Sequence, residues 1–490
     1  MRPYRLIPIV AALAIVPLLG AGCGSTDCEF TATCVGTSGG IDSGGDVVGP
    51  PPNCDPDADA KDAPGCVVDD YGVFVAVTGN DQNSGTKTQP VATFSRAFQI
   101  ADEKRVPRIY VCGGTYAQQF DLIRPIKVFG GFDCTTWSYN GTKSTIKPSS
   151  GIAFTARKVS GASLLVDLAF EGNANLSSAG ESSIAALVLE SSTLTFRRVD
   201  FTAGPGAPGA SGTTTANWSG GAAAAGIVAN GPNGGPAPAC GMCSNETKSI
   251  AGVGGTVNGT LPGDGKAEPA VGQPNDGASK TTSCDPGRLG ENGLAMGAPG
   301  EGAPDTGTLT ADGWKPGEDG KPGGAGNPGQ GGGGGGAQQN INAGGGSGGC
   351  GGCGGGGGLG GGPGGASFAL ASFNSGIILD ACTLKSGRGG NGGRGGDGQP
   401  GQEGGGPGDG NCDGGKGGAG GGGSGGGGGS GGPSAAIAFV GPSPDQRGGT
   451  LAADSGGTGG EGGKMGASSG NAGKDGLTGQ PGRSNSLLSL

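Results

Sequence analysis

Short apolar runs, three to eight residues long, recur between residues 126 and 201 and are separated by Gly, Asn, Ser or Pro. These runs are Ile126–Phe129, Ile152–Phe154, Leu164–Phe170, Ile184–Leu189 and the alternating Leu194–Phe201. Their length and spacing predict stacked short parallel strands. Just before them, Phe94, Ala97, Phe98 and Ala101 recur at helical spacing, which predicts a short amphipathic helix able to cover the open end of such a stack.

An internal repeat extends this pattern far along the chain. Ser183–Leu189 is echoed by Ser367–Phe373, and with one residue gapped Leu194–Gly204 matches Ile377–Gly387. Ser434–Val440 is a third, weaker echo. We therefore expect 183–203 and 367–386 to occupy neighbouring turns of one fold, separated by glycine-rich sequence.

Glycine divides the chain into two compositional halves. Only 22 of the 123 glycines lie in residues 1–200, and the other 101 lie in the remaining 290 residues. Many are spaced by three, as in Gly389, Gly392, Gly395 and Gly398, which is the repeat of a polyproline II helix. In that stretch only Asn391, Arg394 and Asp397 carry side chains, and they would share one edge facing water. The runs are too short and too often out of phase for a sustained collagen triple helix, so a packed bundle and disorder both remain open.

The N-terminus has the features of an export signal. Arg2 and Arg5 precede an uncharged run, Leu6–Leu19, which is too short for the roughly 20 residues of a membrane span. The run ends in Leu-Gly-Ala-Gly before Cys23, which resembles a lipobox, although leucine lies one position further out than usual. We expect residues 1–22 to be a signal peptide and Cys23 to carry a lipid, with ordinary cleavage as the alternative. Gly24 after the cysteine favours the outer membrane in lipoproteins of this type.

Fourteen cysteines in an exported chain predict disulfides, and setting Cys23 aside leaves an odd number. Cys112 and Cys134 end two neighbouring strand–turn units, so we expect them to be bonded. The pairs 240/243 and 350/353 have metal-site or redox spacing, but about 107 residues separate them, which favours structural disulfides.

Aspartates alternate in the segment before the first strands, at Asp55, Asp57 and Asp59. Ala60 and Cys66 stand where a calcium-binding EF-hand loop needs Gly and Glu. The sequence therefore favours a solvated acidic linker over a calcium site.

Several motifs carry a resemblance to known families. Gly79–Thr86, Pro90, Thr93–Phe98 and Arg108–Tyr116 resemble the N-terminal motif of the pectin-lyase-like superfamily. Gly130–Trp137 resembles an element of large bacterial surface lipoproteins of this type, and the glycine-rich stretches resemble surface proteins of PGRS type. The resemblance implies an all-β, right-handed parallel β-helix interrupted by glycine-rich insertions.

The expected organisation follows from these signals. It comprises a signal peptide (1–22), a cysteine- and aspartate-rich tether (23–70), β-helix turns (71–203), a glycine-rich insertion (204–366), a further turn (367–386), a second insertion (387–433), a further turn (434–453) and a glycine-rich tail (454–490).

Composition narrows the possible functions. The chain has no histidine and a net charge of −10, which weighs against most hydrolase mechanisms and against nucleic-acid binding. We expect no cofactor or metal, a lipid-mediated membrane contact, and extracellular polysaccharide or surface proteins as partners. The preferred function is a non-catalytic scaffold or adhesin; the alternative is a polysaccharide lyase or hydrolase. The charged residues to nominate for catalysis are Asp167, Arg197, Arg198, Asp200 and Asp380. They form no recognisable catalytic motif, and an exposed strand face or turn is the alternative for them.

Overall fold

The fold is all-β, with mostly parallel strands, in a computed structural model that describes residues 48–270, 276–277, 284–295 and 297–490. The predicted signal peptide and Cys23 lie outside these residues. The α-helix α1 (Phe94–Glu103) begins at Thr93, whose hydroxyl accepts a hydrogen bond from the backbone N–H of Arg96. Short 3₁₀ turns occupy Pro64–Cys66 and Gln339–Ile341. No helix in the described ranges is long and apolar enough to cross a membrane.

The strands are short, and most of them lie outside the glycine-rich sequence. In chain order they are β1 (Gly72–Val75), β2 (Arg108–Cys112), β3 (Gly114–Tyr116), β4 (Phe120–Leu122), β5 (Lys127–Phe132), β6 (Ser144–Ile146), β7 (Phe154–Arg157), β8 (Ser163–Val166), β9 (Leu168–Gly172), β10 (Ser183–Leu189), β11 (Leu194–Arg197), β12 (Asp200–Ala203), β13 (Lys248–Ile250), β14 (Lys266–Glu268), β15 (Gly307–Thr310), β16 (Gly313–Pro316), β17 (Ser367–Phe373), β18 (Ile377–Lys385), β19 (Ser434–Val440), β20 (Asp445–Ala452) and β21 (Ser484–Ser489).

Parallel pairing arranges these strands in three ladders, which the chain visits in turn. Ladder one is β1, β2, β5, β8, β11, then the first half of β18 and of β20. Ladder two is β3, β6, β9, β12, then the second half of β18 and of β20. Ladder three is β4, β7, β10, β17, β19 and β21. The hairpins β13–β14 and β15–β16 are antiparallel and lie within the glycine-rich segment 204–366.

The interior between the ladders is filled by stacked aromatic and aliphatic side chains. Phe120 stacks on Phe154, and Phe170 on Phe201, with ring centroids 5.7 and 5.6 Å apart. Helix α1 covers one end of this core, since the Phe94 ring centroid lies 4.7 Å from that of Phe120. Burying the apolar face of α1 therefore closes the first turn, as the helical spacing predicts.

The sequence repeat corresponds to direct strand pairing. Ser183 pairs with Ser367 between β10 and β17, and Leu194 pairs with Ile377 between β11 and β18. Ser367 in turn pairs with Ser434 of β19. The segments that echo one another thus stack on one another, although as many as 160 or so residues intervene.

The three glycine-rich segments leave the fold at the same corner. Each starts where ladder two ends and returns at ladder three: 204–366 after β12, 386–433 after β18 and 453–483 after β20. Because neighbouring parallel strands lie about 4.8 Å apart, the three segments begin side by side. The expected tail 454–490 is corrected at its end, where Ser484–Ser489 forms β21 and pairs with β19.

Candidate functional site

A sharp bend between ladders one and two positions most of the charged residues nominated from the sequence. Asp167, Arg198 and Ala381 occupy this bend in consecutive layers, with φ angles of 53°, 53° and 52°. This left-handed conformation is costly for residues other than glycine, roughly 1–2 kcal/mol each. It turns the chain from ladder one to ladder two within one or two residues.

Stacking at this corner builds a network of ion pairs. Arg198 binds Asp167 through two hydrogen bonds, Nε to Oδ1 and Nη2 to Oδ2, each 2.8 Å long. Arg197 donates from Nε to Asp380 Oδ2 at 2.8 Å. Asp59, which comes from the segment before β1, lies 2.7 Å from Arg197 Nη1 and 2.9 Å from Arg198 Nη2. We call these five residues the corner network.

Charge pairing shifts the pKa values of Asp59 and Arg198 toward their charged forms. Burial alone would raise the pKa of Asp59, but hydrogen bonds and charge from Arg198 and Arg197 outweigh it and hold that pKa below its ordinary value of 3.8. Hydrogen bonding to Asp167 raises the pKa of the Arg198 guanidinium. Each carboxylate of the network binds a guanidinium, so none is placed as a free general acid or base near neutral pH.

Asp200 is the nominated residue that stands apart from the corner network. Its carboxylate pairs with Lys143, 2.7 Å away, and 38% of its side chain is exposed. Asp59 is the member that sequence reasoning missed: it was expected in a solvated linker, yet only 6% of its side chain is exposed. Its 138-residue separation from Arg197 leaves no local signal of the contact.

The described part of the expected tether, residues 48–70, packs against ladder one instead of standing free. Arg108 is fully buried beneath it and donates from Nη2 to the carbonyl of Pro56 at 2.8 Å. The Arg108 guanidinium also lies 4.8 Å from the centroid of the Phe129 ring. Lys127 Nζ lies 3.1 Å from Asp57 Oδ1. The acidic segment therefore meets protein cations, and in the described ranges no cluster of His, Cys, Asp or Glu could hold a metal ion.

Five disulfides tie the described chain together. They are Cys54–Cys66, Cys112–Cys134, Cys240–Cys350, Cys243–Cys353 and Cys284–Cys412. The two pairs with metal-site spacing bond to each other rather than to a common ion. Cys382 is a buried free thiol, and burial raises its pKa to about 11.

The glycine-rich segments form an ordered bundle joined by lateral backbone hydrogen bonds with a three-residue repeat. Gly320, Gly323, Gly326 and Gly329 donate to Gly361, Gly358, Gly355 and Gly352, at 2.8–2.9 Å. Gly352, Gly355 and Gly361 in turn donate to Gly418, Gly421 and Gly427. A polyproline II helix has no internal hydrogen bonds, so its amides must bond to neighbours. The packed bundle, one of the two states left open by the sequence, is therefore the one present.

Segment 413–433 is the centre of this bundle. It shares backbone hydrogen bonds with six other segments, namely 284–295 with 297–304, 317–336, 344–366, 387–409, 454–467 and 470–483. A Cβ added at Gly426, Gly427 or Gly428 would lie 1.8–2.1 Å from a carbonyl oxygen of three different neighbours. Contact on every side thus explains why this segment is almost entirely glycine.

Peripheral segments carry more side chains. In 470–483 only every third residue is glycine, and Gly473, Gly476 and Gly479 all face segment 413–433. In 387–398 two of three residues are glycine, and Arg394 and Asp397 project outward with 42% and 47% of their side chains exposed. The number of edges that lack a Cβ is therefore larger in the central segment, which has neighbours on every side, than in the peripheral segments.

The outer face of ladder three is apolar and covered. Ile184, Leu187 and Phe368 pack with Leu309 of the β15–β16 hairpin. The Trp314 ring of the same hairpin meets Phe368 edge-on, with centroids 4.9 Å apart. The β15–β16 hairpin therefore covers this part of the face.

Comparisons with known proteins leave the family open. No family model and no curated protein matches the chain. Among solved structures, a rhamnogalacturonan lyase is similar over 27% of this chain, with 16% sequence identity and a TM-score of 0.21. The chain spans about a third of that lyase, since the match covers 36% of its length.

Proposed function

We propose that the protein is a non-catalytic surface lipoprotein, anchored through Cys23, in which a right-handed parallel β-helix holds a polyglycine bundle away from the outer membrane as a scaffold or adhesin. The bundle is the observation that carries this proposal. It occupies most of the glycine-rich half of the chain, and three disulfides brace it. Bracing of this kind suits a rigid contact surface.

The charged residues support the same proposal. Four of the five nominated for catalysis bind one another or Asp59 in the corner network. Their role is then to fasten the segment before β1 to the ladders. The rival function, a polysaccharide lyase or hydrolase, would need an unpaired acid or base within reach of a groove.

Adhesion by this bundle would use its outermost layer, segments 454–467 and 470–483. Their exposed edges present polar side chains such as Glu461, Lys464 and Asp475. Carbohydrates and polar protein surfaces are the ligand classes that such an edge fits, because it offers charge and hydrogen bonds rather than a large apolar patch.

The test deletes residues 454–482 and joins β20 to β21 with a short linker, so that the outer layer is lost and ladder three is kept. Cell–cell or cell–matrix cohesion is measured by aggregation and detachment assays in cells expressing each variant. We expect cohesion to fall while export and β-sheet circular dichroism survive. A Cys23→Ser variant should leave the membrane fraction and lose cohesion as well.

Two results would contradict the proposal. Unchanged cohesion after removal of the outer layer would reject the bundle as the adhesive element. Depolymerisation of a uronate-containing or neutral polysaccharide by the purified protein, abolished by Asp200→Asn or by Arg198→Ala, would show instead that the protein is a polysaccharide lyase or hydrolase.

A further inference from the structure

A groove runs along one side of segment 344–366 in the bundle. Its walls are Thr215–Asn217 on one side and Pro322–Ala325 on the other, its floor includes Gly356 and Gly357, and its volume is about 240 Å³. Ser244 and Asn245 close one end. The groove is thus bordered by three segments of the bundle and open to solvent.

The same side of segment 344–366 already holds a glycine-rich strand further along. Gly345 N–H donates to Gly255 O at 3.1 Å, and Gly348 N–H donates to Gly252 O at 2.9 Å. That neighbouring segment, 249–256, starts at Ser249, whose hydroxyl donates to Gly351 O at 3.0 Å. The strand therefore covers only part of this edge.

Beyond Ser249 the donors of the edge continue without a partner. Gly354, Gly357 and Gly360 follow Gly348 at multiples of three residues, so their N–H groups point in the same direction in a three-residue helix. Within the part of the chain that the structure describes, these three N–H groups have no acceptor. Gly354 and Gly357 are buried, and a buried backbone donor without a partner costs about 1–3 kcal/mol.

Two carbonyl groups of the edge, those of Gly354 and Gly357, do have donors. Asn217 Nδ2 donates to Gly354 O at 2.8 Å, and Thr215 N–H donates to Gly357 O at 3.0 Å. The unpartnered donors of this edge repeat every three residues, about 9 Å in a polyproline II helix, and Gly357 is the one that lines the groove. The matching ligand is an extended chain with carbonyl groups at the same spacing.

We propose that this groove binds a glycine-rich strand of polyproline II conformation supplied by another polypeptide. The bound strand would extend the row that segment 249–256 begins along the same edge. Segment 249–256 shows the mode of binding, because it accepts from the same edge of the same segment. We expect the ligand to need glycine at every third position, as segment 249–256 has at Gly252 and Gly255, the residues whose carbonyl groups accept from this edge. The inference rests on the proposed adhesive function and assigns it a docking site.

The probe is a fluorescently labelled peptide with the sequence of residues 470–482, Gly-Asn-Ala-Gly-Lys-Asp-Gly-Leu-Thr-Gly-Gln-Pro-Gly. Binding to the full-length protein is measured by fluorescence anisotropy. A control peptide carries valine in place of Gly473, Gly476 and Gly479, which keeps the carbonyl groups and adds side chains. We expect saturable binding of the first peptide and at least tenfold weaker binding of the second.

Two variants block the groove from opposite walls, Ala325→Trp and Ala216→Trp, and Ala472→Trp places the same side chain on an exposed outer segment. We expect each wall variant to weaken binding at least tenfold and the control to leave it unchanged. Hydrogen exchange at Gly354 and Gly357 should also slow when the peptide is bound. Equal binding by all three variants, or no slowing at these amides, would overturn the inference.

The outcome separates this inference from the proposed function. If the 454–482 deletion lowers cohesion but no peptide binds, the groove is rejected and the adhesive role stands. If the peptide binds as expected while the deletion leaves cohesion unchanged, the groove stands as a binding site and the adhesive role falls.

Discussion

Replacing Gly358 with alanine would place a methyl group inside the bundle where three segments meet. The added Cβ would lie 1.8 Å from Gly396 O, 2.5 Å from Gly396 C and 2.8 Å from Gly426 N. All three are backbone atoms, so no side-chain rotation relieves the overlap. An ordinary contact between carbon and a carbonyl oxygen is about 3.3–3.6 Å, so the neighbouring segment must move by about 1.5 Å.

The free-energy change follows from the hydrogen bonds that such a movement breaks. Gly396 N–H donates to Leu359 O at 2.8 Å, and Gly426 N–H donates to Gly396 O at 2.9 Å. Adding about 1.5 Å stretches both beyond the range of a hydrogen bond. Two bonds at about 0.5–1.5 kcal/mol each, with about 1–3 kcal/mol for overpacking, predict a loss of about 2–6 kcal/mol in the free energy of unfolding.

Gly406→Ala is the matched control, because a Cβ at Gly406 would meet no atom within 4 Å. Its φ is not in the left-handed region, so we expect a change between zero and about 1 kcal/mol in favour of the folded state. Guanidinium unfolding with disulfides intact, followed by circular dichroism, measures both variants. Hydrogen exchange of 388–409 and 413–433 should accelerate only in Gly358→Ala. Equal midpoints and equal exchange for the two variants would refute the close-packed bundle.

The remaining predictions concern the corner network and the buried thiol. Asp59→Asn should lower the free energy of unfolding by about 1.5–3 kcal/mol, whereas Asp57→Asn, whose carboxylate is 91% exposed, should change it by less than about 1 kcal/mol. Because the folded-state pKa of Asp59 is lowered, its stabilisation is present above pH 3.8 and lost as the pH falls through the folded value, so the gap between the wild type and Asp59→Asn should narrow in acid; a gap that widens as the pH falls below 3.8 would contradict this. Cys382, with a pKa of about 11, should resist iodoacetamide at pH 8 in the native protein and react once the protein is unfolded; mass spectrometry reports the modification, and rapid native labelling would refute its burial.

The sequence alone determined the local elements, because each depends on a short periodic pattern. Apolar runs punctuated by turn residues predict the strands, and the helical spacing of Phe94, Ala97, Phe98 and Ala101 predicts α1. The echo of Ser183–Leu189 in Ser367–Phe373 predicts their stacking, since two copies of one pattern bury the same faces. The three-residue glycine period likewise specifies a helix with bare edges.

Only the tertiary structure decided which distant groups meet. Asp59 reaches Arg197 and Arg198 across more than a hundred residues, and nothing in an aspartate-rich stretch distinguishes a solvated carboxylate from one that binds two guanidinium groups. The sequence likewise does not show that the two closely spaced cysteine pairs bond to each other. Nor does it show that Ser484–Ser489 forms a strand, because this short run becomes one only by pairing with β19.

The order of the glycine-rich half also depends on tertiary contacts between its segments. A polyproline II helix has no internal hydrogen bonds, so an isolated segment has no reason to be ordered and its sequence is compatible with both a bundle and disorder. The ladders favour the bundle, because three such segments start at one corner of the fold. Their spacing there is about the distance at which backbone amides and carbonyls form hydrogen bonds. Once the segments are side by side, each bare glycine edge gains a neighbour, and the backbone groups that water would otherwise solvate bond across the bundle.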